Sequence, residues 1–161
     1  MKQKERLNYL VQYLCKDSIV YGDITVRDEH KRKLMRSLIN IRMPKQVSKE
    51  FLKIQNDFLQ EESVEKGIID VDNIHTIKET FNTDFKNSDK ISLWQGDITR
   101  LKADVIVNAA NSRMLGCFVP CHGCIDNAIH SASGIQLREE CAKYMKYQQV
   151  KFGDDYEEPT G

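Results

Sequence analysis

The chain has 161 residues, 30% charged and 40% hydrophobic, with a formal net charge of zero. That is the composition of a soluble chain with one folded domain and an extension, and no run reaches the ~18 apolar residues of a membrane span. The charge is uneven: residues 1–55 hold 13 Lys and Arg against 6 Asp and Glu, and the remainder holds 11 against 18.

The first residues alternate charged and apolar types and contain no apolar core of a secretory signal. Residues 3–15 read as an amphipathic helix with Leu7, Leu10, Val11 and Leu14 on one face. Gly22 and Asp23 break it. A second helix is predicted over residues 28–42, with Leu34, Leu38 and Ile41 on one side and Pro44 as the stop. Its basic run His30-Lys31-Arg32-Lys33 is read as a solvated face and not as a nucleic-acid contact, because interleaved aromatics and glycine-rich loops are missing. A third helix is predicted from Ser48, the N-cap, through Phe51, Leu52, Phe58 and Leu59. Residues 60–75 are acidic and read as loop. Residues 1–85 therefore form a helical extension without a catalytic constellation.

The character changes after Lys86. Residues 91–95 alternate as a strand does, Gly96-Asp97-Ile98-Thr99 follows as a turn, and residues 103–110 form the apolar run of a buried parallel strand. Residues 124–147 have helical periodicity, interrupted at Ser133-Gly134. Strand, strand, loop and helix in this order give an α/β layer fold. Two strands and one helix do not close such a core, so the remaining strands are expected outside this sequence.

Between the second strand and the helix stand Cys117, Cys121, His122 and Cys124, with Asp126 just behind. Thiolates and imidazole are the ligands that tetrahedral Zn²⁺ takes, and three of them leave a fourth position open, as in catalytic sites. Small buried hydrophobes are the competing reading for the thiols, but so many soft ligands in one loop favour a metal. The cysteine spacing suits a reducing cytoplasm better than a disulfide framework. Cys121 is an additional thiol that competes for metal. Cys117, Cys121 and Cys124 also make C-x₃-C-x₂-C, which keeps an iron–sulfur radical-enzyme fragment as a remote alternative. Asp126 falls in the first turn of a helix, where negative charge is favourable in any case. His130, one turn on, is read as a packed histidine. The free N–H groups of this helix start suit a pyrophosphate.

Gly96-Asp97-Ile98-Thr99 followed by Ala103-Asp104-Val105-Ile106-Val107-Asn108-Ala109-Ala110-Asn111 resembles the start of a macrodomain, the ADP-ribose-binding fold. The loop from Gly116 to His130 is similar to that of the zinc-containing macrodomains of bacteria and some fungi, which act as protein-ADP-ribose hydrolases; the helical extension is similar too. The resemblance implies a three-layer α/β/α macrodomain of which residues 86–161 are the N-terminal half. It implies that Asp97 and Ile98 hold the adenine and Asn111 the distal ribose. It further implies that Cys117, His122 and Cys124 bind Zn²⁺ and that Asp126, with Asn111, serves catalysis. Asn108 is expected only to cap the strand-to-helix turn. Gly22-Asp23-Ile24-Thr25 repeats the four-residue motif but lacks the strands around it and is read as coincidence. The implied substrate is mono-ADP-ribosylated protein, with a lipoyl-carrier protein modified by a partner sirtuin as the group's frequent case. An ADP-ribose reader without turnover stays open as the second reading.

Overall fold

The computed structural model describes residues 1–19, 21–22, 24 and 26–153. Asp23 and Thr25 of the repeated motif, and the Glu157–Gly161 end, lie outside the described residues. The chain divides into two compact units, one of residues 1–61 with 108–161 and one of residues 62–107.

The first unit is helical. Helix α1 (Gln3–Asp17) and helix α2 (Asp28–Ile41) each bury one apolar stripe, Leu10, Val11 and Leu14 on α1 and Met35, Leu38 and Ile39 on α2. Helix α3 (Lys49–Lys66) begins where Ser48 Oγ accepts the Phe51 amide at 3.1 Å, the cap its hydroxyl predicts. It buries Phe51, Ile54, Phe58 and Leu59 in the same core, with the Phe51 ring 4.5 Å from that of Tyr13. Helix α5 (Ile125–Ser133) and helix α6 (Ile135–Phe152) follow the predicted periodicity, and the weak spot falls between them. Gly134 holds φ +77, ψ −173, a conformation open essentially to glycine alone. It separates one predicted helix into two, and Ile135 joins the core of the first three.

The second unit holds the strands. β1 (Ile69–Asp70) pairs in parallel with β2 (Leu101–Lys102), and α4 (Ile77–Phe81) lies between them in sequence behind a capping box of Thr76 and Glu79. Two expectations need correcting here. Residues 60–66 continue α3 rather than forming loop. Residues 103–110 form no strand and pair with no neighbour among the described residues, and residues 91–95 contribute a bridge from Ser92 to Thr76. Val105 is 81% and Val107 87% exposed. A ladder needs a neighbouring strand to accept its N–H and C=O groups, and among the described residues none lies beside this run. The class expected from sequence nevertheless stands: a mostly helical N-terminal region precedes a small mixed α/β segment.

Candidate metal centre

The loop between residues 111 and 124 has no regular structure and is shaped by left-handed residues: Met114 (φ +56), Gly116 (φ +79) and Cys121 (φ +53). Gly116 is required twice. Besides its φ, a Cβ there would stand 2.7 Å from the His130 ring, so only glycine lets the loop lie against α5.

This loop brings Cys117, His122 and Cys124 together, their ligand atoms all within 4.8 Å of one another. Cys117 Sγ is 3.6 Å from His122 Nδ1. Zn–S bonds of about 2.3 Å and Zn–N bonds of about 2.0–2.1 Å, at a tetrahedral angle, place two such atoms roughly 3.6 Å apart. The donor set thus fits zinc in chemistry, and its Cys117–His122 pair fits in spacing. Cys124 is also the N-cap of α5, its sulfur accepting the Asn127 amide at 3.4 Å. The helix N-terminus favours negative charge at that sulfur, and this N–H is engaged by the thiol.

Cys121 does not compete. Its thiol donates to the Lys33 carbonyl at 3.5 Å and lies 3.2 Å from the Ser37 hydroxyl, both on α2. The three thiols of the C-x₃-C-x₂-C spacing are therefore not gathered around one point, and the second sulfur needed for a cluster belongs to a helix contact.

Asp126 is 5% exposed. Its Oδ1 accepts from Asn108 Nδ2 at 2.8 Å and faces His130 Nε2 at 3.5 Å. Asn108 is thus more than a turn cap; it is the carboxylate's hydrogen-bonding partner. His130 is buried, as a packed histidine is. Burial holds its pKa below the ordinary value, Arg138 adding to this and Asp126 opposing it. Arg138, also buried, carries both Asp126 and Cys117 within its electrostatic reach. It donates from Nε to Leu115 O and from Nη1 to the carbonyls of Ile39, Asn40 and Arg42, and its guanidinium lies 4.3 Å from the Phe118 ring centre. No local spacing announces these roles, since the partners stand 18 to 99 positions away in sequence.

Asn111 is exposed and closes its own turn, donating to Gly116 O at 3.2 Å and accepting the Arg113 amide at 3.1 Å. It borders a hollow of about 500 Å³ with Met43, Arg113, Leu115 and Phe118. Asp97 and Ile98 belong to the other unit. Asp97 caps a 3₁₀ turn (Ile98–Arg100), accepting from the Thr99 hydroxyl at 2.7 Å and the Thr99 amide at 3.0 Å. These bonds, the hydroxyl's first, hold its pKa below the ordinary carboxylate value against the effect of burial. Ile98 borders a second hollow of about 550 Å³ with Ile74, Trp94 and Leu101.

Residues 107–160 match the Macro domain family model. Along its whole length the chain is similar to a protein named protein-ADP-ribose hydrolase from Treponema medium, 44% identical over 163 residues that cover 100% of this chain and 58% of the relative. A protein of the same name from Staphylococcus aureus (strain Mu50 / ATCC 700699) is 38% identical over 148 residues, 90% of this chain and 52% of its own length. A probable bifunctional ADP-ribose hydrolase/ADP-ribosyltransferase from Fusarium oxysporum f. sp. cubense is 57% identical over 58 residues, 35% of this chain and 10% of the relative. The chain therefore spans somewhat more than half the length of the two bacterial relatives.

Proposed function

We propose that this chain carries the metal-binding part of a zinc-dependent hydrolase that removes ADP-ribose from mono-ADP-ribosylated protein. The observation that carries this reading is the convergence of Cys117, His122 and Cys124, their ligand atoms within 4.8 Å of one another, on the loop that opens α5, one turn from a buried carboxylate. The names of the bacterial relatives support the substrate class.

In this reading Cys117, His122 and Cys124 hold Zn²⁺, and residues 86–161 are the macrodomain portion behind a helical extension of residues 1–85. Bound zinc supplies Lewis-acid polarisation or activation of an oxygen at its open position. Asp126 positions a water or ribose hydroxyl, or takes its proton as general base. Asn108, donating to Oδ1, fixes the carboxylate's orientation, and a carboxylate held by a neutral amide keeps its accepting capacity for such a hydroxyl. Asn111 addresses the distal ribose from the edge of its hollow, and Asp97 with Ile98 addresses the adenine, the carboxylate accepting from the purine amino group. The substrate protein in this reading is a lipoyl-carrier protein modified by a partner sirtuin, in the cytoplasm.

The test has two parts. Protein purified anaerobically without added metal should carry zinc near one per chain and neither iron nor sulfide. Release of free ADP-ribose from a mono-ADP-ribosylated protein should be abolished by Asp126→Ala with zinc retained. Undiminished release by that variant would remove Asp126 from the chemistry. Tight ADP-ribose binding without any release by the unaltered protein would make it a reader.

A further inference from the structure

The metal loop is held from the helical extension by polar bonds to its backbone. Arg36 on α2 donates from Nε and Nη2 to Asn127 Oδ1 at 3.0 and 2.7 Å, and from Nη2 to the carbonyl of the ligand His122 at 3.1 Å. One turn further along α2, Asn40 accepts the Cys121 amide at 2.9 Å and donates to Ser131 Oγ at 3.0 Å. Asn127, fixed by Arg36, donates to the Val119 carbonyl at 3.0 Å. Backbone groups at 119, 121 and 122 are thus each tied down, two residues of the tie being fully buried: Asn40 and Asn127 are both 0% exposed.

Simple packing does not ask for this. Apolar contacts join two helices without the desolvation cost of buried amides, which are tolerated only when satisfied. Here they are spent on the backbone of a loop without regular structure, around a non-glycine residue in the left-handed region. That conformation costs Cys121 of order 1–2 kcal/mol and is held by the Asn40 bond to its own amide. His122 itself is exposed, so its place depends on its backbone.

We propose that Arg36 and Asn40 are positioning residues for the metal centre: from α2, with Asn127 as intermediary, they fix residues 119–122 so that Cys117, His122 and Cys124 converge. The inference rests on the metal-centre reading above. It makes the extension part of the site, and by linkage metal binding stabilises the docked position of α2.

The experiment is a Co²⁺ titration of the full chain, read by its thiolate charge-transfer and d–d absorption, with the unaltered protein, Arg36→Met, Arg36→Lys and Ser37→Ala. Residues supporting metal ligands typically contribute ten- to hundredfold in affinity. Arg36→Met should lose about that factor and shift the d–d bands. Arg36→Lys, with the charge but a single donor head, should fall between, and it carries the test should Arg36→Met fail to fold. Ser37→Ala, whose hydroxyl lies against the Cys121 sulfur rather than a backbone group of the loop, should match the unaltered protein. Wild-type affinity and bands in both Arg36 variants would overturn the proposal. Should the unaltered protein take up no Co²⁺, the metal-centre reading fails by itself. Amide exchange at Cys121 and His122 then decides the clamp: faster exchange in the Arg36 variants upholds it on the loop, and equal exchange overturns it.

Discussion

His130 shows how one buried side chain ties the site to pH. Its ring is 2% exposed, pressed by Gly116 and facing Asp126. Burial depresses its pKa in the folded chain, and Arg138 acts in the same direction. The unfolded chain then binds a proton that the folded chain resists, so stability is complete above the unfolded value, about 6.5, and declines as pH falls through it. The metal-free protein should therefore melt progressively lower as pH is taken from 7 toward 5, and His130→Gln should flatten that slope. Melting curves across this range decide it; equal slopes in the two proteins would place the acid sensitivity elsewhere. Metal-free protein is needed because metal uptake at the proposed site would add a pH dependence of its own. The cluster of Cys117, His122 and Cys124 was readable because residue types and spacing are local: the three stand within eight positions. Their supports were not. Asn108, Arg36, Asn40 and Arg138 act on partners brought close only by folding, and an asparagine or arginine on a helix gives no sign of what it will meet.

Among the elements, the joint between α5 and α6 is the most demanding. Gly134 holds φ +77 with ψ −173, and a Cβ there would approach the Gln55 side-chain amide at 2.4 Å. That amide is engaged, donating to Gln136 Oε1 at 2.5 Å while Gln55 Oε1 accepts the Ile135 amide at 3.2 Å. Gly134→Ala should cost about 1–3 kcal/mol from the backbone alone, a fall in Tm of several degrees for a chain of this size. Gly123→Ala is the control: a Cβ there meets nothing within 4 Å, and its Tm should stay unchanged. Thermal melts of both variants give the answer, and equal Tm values would remove the strain assigned to Gly134. The helices were legible because apolar spacing of 3.6 and cap residues are written along a single segment: Ser48 capped α3 and Gly134 broke the last helix as their chemistry requires. The strands were less so. Residues 103–107 carry the β-branched run of a buried strand, yet β-propensity reports fitness for a sheet surface and not the presence of a neighbour. The run forms no strand and is exposed.

At the scale of the molecule, the family segment and the extension share one core. The buried apolar cluster is built from Leu10, Val11, Leu14 and Cys15 of α1, Met35, Leu38 and Ile39 of α2 and Phe51, Ile54, Phe58 and Leu59 of α3, and among the described residues only Ile135 enters it from the Macro domain segment. Polar bonds add to this: Arg138 donates to three carbonyls at the end of α2, Gln136 to Asn56, and Arg36 and Asn40 bond the metal loop. Residues 108–161 by themselves have little apolar surface to bury, and a small core cannot offset the chain entropy lost on folding. A fragment of residues 108–161 should therefore show no cooperative thermal transition by circular dichroism and should bind Co²⁺ at least tenfold more weakly than the whole chain, as expected where supporting residues are removed. The 161-residue chain under the same conditions should melt cooperatively. A sigmoidal melt and full metal affinity in the fragment would show that the loop and α5 organise themselves, and the extension would then be an addition to the site rather than its foundation.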